Sequence, residues 1–265
     1  MIDKHFLPTI SIITVVYNDK IGLASTLDSI FGQVYKDFEL IIIDGSSTDG
    51  TLDTILHYSE HIDYYISEAD NGIYDAMNKG ISKASGKYIY FLNSGDLVYP
   101  DTFLKIDKML TSQNNHDVIY GEMDIKNSNK KMTAYTPDYI NYDMPFCHQA
   151  VLVKTELYKQ TKFNLRYKIA ADYDFFLKLY YQGYIFNNSN ICFGIYDTTG
   201  VSNRRYFTVL AEYIKILWIN NSGLSKILNV WNYLWAKKLV TIYIISRHIL
   251  GESTYRKLRG YFDVI

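Results

Sequence analysis

Glu39-Leu40-Ile41-Ile42-Ile43-Asp44-Gly45-Ser46-Ser47-Thr48-Asp49-Gly50-Thr51 is the stretch that decides the fold. Glu39–Ile43 is apolar and β-branched with no polar alternation, which predicts a strand covered on both faces, as in a parallel sheet. The run stops at a carboxylate. Ser46–Gly50 is a turn cluster, and a helical stripe restarts at Leu52, Ile55 and Leu56. A buried strand that ends in an acid and turns into a helix is part of a β-α-β unit. In open sheets of such units, ligands bind outside the carboxyl ends of the strands.

The same alternation extends to both sides. Ile10–Val16 predicts a first buried strand, and Leu23, Leu27, Ile30 and Phe31 a helix after it. Tyr64–Ser67 predicts a third strand, Ile73–Ala84 a helix closed by Gly86, and Lys87–Leu92 a fourth strand. Pro100 suits the first turn of a further helix, with Phe103, Leu104, Met109 and Leu110 behind it. The order β-α-β-α-β-α-β predicts an α/β fold, a Rossmann-like and mainly parallel central sheet flanked by helices. Further on, Val118–Tyr120, Ala150–Lys154 and Ile191–Tyr196 read as strands, Glu122–Pro137 as a polar hairpin or loop, and Asp172–Tyr181 as a helix ending at Gly183. Residues 206–250 read as two or three helices with a break near Asn220–Gly223, and no internal repeat is evident.

With 265 residues, 48% hydrophobic and 21% charged, the chain can bury a sizeable core. Two cysteines make neither a disulfide framework nor a metal cluster, which fits a reducing compartment. No cleavage site follows the apolar run Ile10–Tyr17, and no uncharged apolar stretch approaches the ~18 residues of a spanning helix. The chain is therefore expected in the cytoplasm or on a membrane surface. Its net charge of −1 conceals an asymmetry. Residues 204–265 hold ten Lys or Arg against three acids, a net +7, which leaves −8 on residues 1–203. The expected division is a domain over 1–203 and a basic amphipathic helical tail over 204–265. An acidic body argues against nucleic acid as a partner. Trp231, Trp235, Leu239, Ile242, Ile245 and Ile249 share one helical stripe, flanked by Lys237, Lys238 and Arg247. These are the residues of an interfacial helix on anionic lipid; the alternative is packing on the body or on a second copy of the chain, as a homo-oligomer.

The acids at strand ends are the candidates for chemistry. Asp44 suits hydrogen bonding to a base or ribose, or else shapes its turn, while Asp49 reads as a helix cap. The fourth strand runs into Asn93-Ser94-Gly95-Asp96, a set of oxygens able to hold Mg²⁺ or Mn²⁺ beside a diphosphate, although the same residues also make an ordinary turn. Asp172 and Asp174 open a helix, where acids are favoured by capping and the macrodipole; the functional alternative is a general base. His148, among Pro145, Phe146 and Cys147, reads as a structural histidine in a partly buried loop, or as one that orients a metal or a substrate.

Six blocks in fixed order carry a resemblance: Ile12-Ile13-Thr14-Val15-Val16-Tyr17-Asn18, Ser29-Ile30-Phe31-Gly32-Gln33-Val34-Tyr35, Phe38–Asp44, Ser47-Thr48-Asp49-Gly50-Thr51, Asn71-Gly72-Ile73-Tyr74-Asp75-Ala76-Met77-Asn78-Lys79-Gly80-Ile81 and Phe91-Leu92-Asn93-Ser94-Gly95-Asp96. Over about residues 8–200 the chain resembles the family 2 glycosyltransferases, which have the GT-A fold, and among them the group acting in bacterial capsule, O-antigen and exopolysaccharide synthesis. The resemblance implies an inverting transferase that moves a sugar from a nucleoside-diphosphate sugar, a UDP-sugar favoured, to a glycan or lipid-linked acceptor, with Mn²⁺ or Mg²⁺ as cofactor. It implies a place on the inner face of the plasma membrane. Donor binding falls to Val15, Tyr17, Asp44, Gly72, Asp75, Lys79 and Asn93, metal binding to Asp96, and the catalytic base to Asp172. His148 and Gln149, with Gly200-Val201-Ser202, match acceptor-side or metal-side positions. Gly45, Asn93 and Gly95 stand where many relatives carry acids, which leaves Asp96 as the one carboxylate for a metal. Met77 replaces a common arginine, so Lys79 becomes the candidate diphosphate contact. The alternatives are a nucleotidyltransferase, disfavoured because Tyr17-Asn18-Asp19-Lys20 is not a glycine-rich loop, and a non-catalytic nucleotide-sugar-binding protein at the membrane.

Overall fold

The computed structural model describes residues 7–112, 116–198, 205–235 and 237. The stripe residues Leu239 to Ile249 and the segment Gly200-Val201-Ser202 lie outside the described residues. Nine strands form one sheet in the order β3-β2-β1-β4-β8-β6-β9-β5, with β7 paired to β6. The half that carries the quoted stretch is β1 (Ile10–Val16), β2 (Phe38–Asp44), β3 (Tyr64–Ser67) and β4 (Tyr88–Phe91), all parallel. Every residue of β1 is buried, as are Leu40–Asp44 of β2, so the unbroken apolar pattern reflects a sheet covered on both faces. The crossovers are α1 (Lys20–Phe31), α2 (Thr51–His57) and α3 (Ile73–Lys83). Leu23, Leu27 and Ile30 of α1 pack into the core with Ile10, Ile12, Tyr88 and Tyr90.

Beyond β4 the sheet is mixed. β8 (Val151–Lys154) is antiparallel to both β4 and β6 (Val118–Ile125), and β9 (Phe186–Tyr196) is parallel to β6. The polar segment after Glu122 is a hairpin, since β7 (Lys131–Met132) folds back on β6. Three features exceed the sequence reading. β9 starts at Phe186 and not at Ile191, because pairing with β6 draws in Asn187 and Asn188, which local propensity assigns to a loop. β5 (Leu97–Val98) is too short for any periodicity. The helix α5 (Thr155–Thr161) buries only Thr155, Leu157 and Tyr158, too few for a stripe. α4 (Thr102–Ser112) and α6 (Ala171–Tyr181) complete this part, with α6 packed on an aromatic cluster in which Tyr158 and Phe175 stack at 4.4 Å.

Two compact units divide the chain: Met1–Ile140 with Met144–Tyr213, and Asn141–Asp143 with Ile214–Ile265. The helix Tyr206–Asn220 belongs to the first through Tyr213 and to the second from Ile214. It ends at 220 and helix resumes at 223, the break expected near Asn220–Gly223. No helix among the described residues is long and apolar enough to cross a membrane.

The short β5 fixes the turn ahead of it by pairing with β9, where Gly194 lies opposite Val98. A Cβ at Gly194 would fall 1.8 Å from the Leu97 carbonyl oxygen. Gly194→Ala should therefore cost about 2 kcal/mol or more, read as a lower midpoint in chemical denaturation; an unchanged midpoint would refute the role given to this pairing.

Candidate active site

Two backbone hydrogen bonds at the end of β1 bring the candidate acids together. The Gly45 N–H donates to the Val16 carbonyl at 2.9 Å, and the Ser94 N–H to the Val15 carbonyl at 3.3 Å. The loops after β2 and β4 thus leave the sheet on either side of one strand end, the carboxyl rim where ligands of such sheets bind. Val15 is buried in the sheet and Tyr17 is exposed just beyond it.

On the β2 side, Asp44 is fully buried. Its Oδ1 accepts from the Ser47 hydroxyl (2.5 Å), and its Oδ2 from the Ser47 N–H (3.1 Å) and the Ser67 hydroxyl (2.5 Å). Asp44 ties the turn after β2 to the last residue of β3. Asp49 does not cap α2, whose N-cap is Gly50 without a side-chain cap bond; it braces the turn instead, accepting from Thr51 N–H and Oγ1 and from Lys20 N–H at the start of α1. At Gly45, where a second acid is missing, a Cβ would stand 2.7 Å from Asp70 Oδ2 and 3.2 Å from the Tyr17 ring, so a side chain there would have to displace both. Asp70 accepts from the Gly72 N–H (2.8 Å), and Gly72, at φ 116°, adopts a conformation open to glycine as it starts α3. Asp75 folds back onto Asn71, accepting from its N–H at 2.9 Å. Lys79 pairs with Glu68 at 2.8 Å and donates to the Ala69 carbonyl, and the Glu68 carboxylate raises its pKa.

On the β4 side, the Thr26 hydroxyl from α1 grips the turn. It accepts from the Gly95 N–H (3.0 Å) and donates to the Asp96 carbonyl (2.8 Å). Asp96 is buried, and its Oδ1 accepts from the Asp197 N–H at 2.8 Å. Burial is the main cause that pushes its pKa up to about 7, with the charges of Asp197 and Asp19 adding to it, while the Asp197 N–H and Lys126 oppose. Asp19 accepts from the Ser94 hydroxyl (2.7 Å) and caps α1 through the Gly22 N–H; Asp197 pairs with Lys126 at 2.8 Å. Asn93 Oδ1 is buried without a hydrogen-bond partner. Among the described residues no group of three or more His, Cys, Asp or Glu side chains is arranged to hold a metal ion.

Asp172 stands in the first turn of α6. Its Oδ1 accepts from the Tyr74 hydroxyl (2.8 Å) and the Tyr173 N–H (2.9 Å), and its Oδ2 lies 3.9 Å from His148 Nδ1, beyond hydrogen-bond range. Tyr74 comes from α3, so the loop after β3 reaches both Gly45, through Asp70, and Asp172. His148 is enclosed by the rings of Phe91, Phe163 and Phe176, and its Nε2 is buried without a partner. Burial lowers its pKa against the pull of Asp172, which favours the neutral imidazole. Gln149 accepts from the Cys147 thiol at 3.1 Å. The buried Cys147 thiol is pushed up chiefly by desolvation, with the charges of Asp96 and Asp172 adding to it. Glu212 reaches the same region from the helix Tyr206–Asn220 and accepts from the N–H groups of Lys168, Ile169 and Ala170 at 2.8, 3.0 and 3.0 Å. Those residues lead straight into Asp172, and Glu212 thereby fixes the approach to α6.

Sequence reasoning named Asp44, Asp96 and Asp172 and passed over Asp19, Asp70, Asp197, Tyr74 and Glu212. Asp19, Asp70 and Asp197 each follow a predicted strand within a few residues, a signal available in the sequence. Glu212 carries no such signal.

The glycosyl transferase family 2 model matches residues 11–185. The chain belongs to this family. It is a glycosyltransferase of GT-A fold, and the nucleotidyltransferase reading falls away. A "PGL/p-HBAD biosynthesis glycosyltransferase" of Mycobacterium bovis is 32% identical over 179 residues, covering 65% of this chain and 70% of the relative. TarS 1-349 of S. aureus, solved with UDP-GlcNAc, superposes with a TM-score of 0.67 at 19% identity over 86% of this chain and 72% of that one. The mannosyltransferase PcManGT of Pyrobaculum calidifontis, solved with GDP-Man and Mn²⁺, gives 0.67 at 17% identity over 98% and 81%.

A carboxyl group whose pKa is raised on folding stabilises the fold while protonated. For Asp96, ordinarily at 3.8, that contribution is complete below about pH 4 and is lost as pH rises toward 7. In metal-free protein the melting temperature of Asp96→Asn, relative to the unmutated chain, should thus rise between pH 4 and 7.5. A difference independent of pH would show that Asp96 is not held in this way.

Proposed function

We propose that this glycosyltransferase moves a sugar from a nucleoside-diphosphate sugar, a UDP-sugar favoured, to a hydroxyl of a glycan or lipid-linked acceptor, with inversion at the anomeric carbon. The observation that supports this best is the pair of loops held on either side of the end of β1, one carrying Asp44 and Gly45 and the other Asn93 and Asp96. The nucleotide base lies against Tyr17 and the end of β1, on a turn that Asp44 shapes from below through Ser47 and Ser67. Gly72 and Asp75 set the N-terminus of α3, and Lys79 meets the diphosphate once it leaves Glu68. The solved complexes of similar fold, with UDP-GlcNAc in one and GDP-Man and Mn²⁺ in the other, favour this class of donor.

Asp96 and the unpartnered Asn93 Oδ1 are the hard oxygens of the turn after β4 that would hold Mg²⁺ or Mn²⁺, a cation that needs few protein carboxylates. Such an ion would supply charge neutralisation for the departing diphosphate. Asp172 accepts the acceptor's hydroxyl proton as that oxygen bonds to the anomeric carbon from the face opposite the diphosphate, and the bond to the diphosphate breaks. Tyr74 and the Tyr173 N–H hold Oδ1, which leaves Oδ2 for the proton. His148, packed among phenylalanines, walls that oxygen, with Gln149 beside it on the acceptor side. Synthesis of a bacterial surface polysaccharide or glycolipid at the inner face of the plasma membrane suits both the family and the mycobacterial relative named above.

Asp172→Asn keeps the hydrogen bonds to Oδ1 and removes the base. It should bind donor with unchanged affinity and lose about 10²- to 10⁴-fold in transfer rate. Transfer at the normal rate would reject the assignment. Tyr74→Phe should lower kcat at constant donor KM and shift the pH profile, because Asp172 loses a partner; a normal pH profile would count against that contact.

A further inference from the structure

Asp172 stands at the start of a helix whose N-cap, Ala170, makes no side-chain cap bond. The start of α6 is set from outside the helix instead. Glu212 Oε1 accepts from the Lys168 N–H, and Oε2 from those of Ile169 and Ala170. The last of these bonds has a counterpart across the same peptide. The Ala170 N–H and the Ile169 carbonyl belong to one planar unit and point in opposite directions, so fixing the first aims the second. The Ile169 carbonyl oxygen lies 2.6 Å from the Tyr74 hydroxyl, which is also 2.8 Å from Asp172 Oδ1. A phenol has one hydrogen to donate, and these two acceptors share it. Burial, and then the charge of Asp172, push the Tyr74 pKa up, so the hydroxyl keeps that hydrogen.

We propose that Glu212 is a positioning residue for the transfer reaction. By gripping the Ile169–Ala170 peptide it holds the Ile169 carbonyl against Tyr74, and so places the hydroxyl that contacts Asp172. This rests on the reading of Asp172 as the base. An ionised Asp172 is the stronger acceptor and takes the Tyr74 hydrogen. When Oδ2 takes the proton of the attacking hydroxyl, the carboxyl becomes neutral and the Tyr74 hydrogen turns to the Ile169 carbonyl. No proton leaves Tyr74; only the direction of its bond changes. The base thus has a satisfied partner in both protonation states, on condition that the carbonyl stays where Glu212 puts it. The two segments also meet through their rings: Tyr213, beside Glu212, stacks on Tyr173, beside Asp172, at 4.0 Å and 7°.

The experiment compares the full chain with Glu212→Ala, Glu212→Gln, Asp172→Asn and the double variant Glu212→Ala/Asp172→Asn. Release of UDP is followed with Mn²⁺ and UDP-GlcNAc, UDP-glucose or UDP-galactose, water serving as acceptor. Amide hydrogen exchange is followed over residues 168–174. Glu212→Ala should lower kcat about 10- to 100-fold at unchanged KM for the UDP-sugar, the cost of a small misplacement at the reacting centre. Glu212→Gln keeps one acceptor oxygen and should lose less; it carries the same comparison if the alanine variant does not fold. The double variant should be no slower than Asp172→Asn alone, because misplacing an absent base has no cost. Amides 168–174 should exchange at least about tenfold faster in Glu212→Ala, with those of β1 unchanged. Normal kcat in Glu212→Ala beside a slow Asp172→Asn would overturn the inference. So would unchanged exchange over 168–174, or losses that multiply in the double variant, which mark a general effect on the fold. Normal turnover by Asp172→Asn would remove the base itself, so the two failures are told apart.

Discussion

The carbonyls of Val15 and Val16 are the fixed points from which the rim is built. Each accepts one N–H, from Ser94 and from Gly45, and each bond sets where a loop leaves the sheet. A strand at the middle of a parallel sheet has neighbours on both sides, so its final carbonyls anchor both neighbouring loops at once. Backbone bonds of this kind place Asp44 and Asp96 without calling on their side chains. The carboxylates remain free to be specialised, one as the buried tie of a turn and the other as a buried acid with a raised pKa.

Asp172 is located by a different logic. It stands on a helix from the mixed half of the sheet, and three parts of the chain converge on it: Tyr74 from α3, the His148 segment ahead of β8, and the loop 168–170 held by Glu212. Three backbone donors on one carboxylate make a charge-assisted clamp. Tyr173, the next residue, stacks on Tyr213 at 4.0 Å. The first turns of the helix Tyr206–Asn220 are thus part of the scaffold for the proposed base.

Much of this architecture was legible because burial leaves a pattern in sequence. A strand covered on both faces cannot alternate, so Ile10–Val16 and Leu40–Ile43 declared themselves, and with them the parallel half and the rim. Asp44 and Asp96 were visible as acids that end such runs. The asparagine-rich start of β9 was not, because its hydrogen bonds are repaid by a partner 68 positions away, Val118 to Phe186, and no local window contains that partner. Glu212 escaped for the same reason: its bonds span 42 to 44 positions, and by composition it is an ordinary helix glutamate.

The sequence by itself determined the parallel half of the sheet, the family, and the acids that end β2 and follow β4, because apolar runs and strand-to-loop order are properties of neighbouring residues. Only the tertiary structure decided that Asp44 is tied down beneath Ser47 and Ser67, that the Asp70 carboxylate stands beside position 45, and that Asp96 lies among Asp19 and Asp197. Each of these is set by which distant segments share space. Burial, the local electric field and hydrogen-bond partners belong to that packing and not to any single stretch of chain.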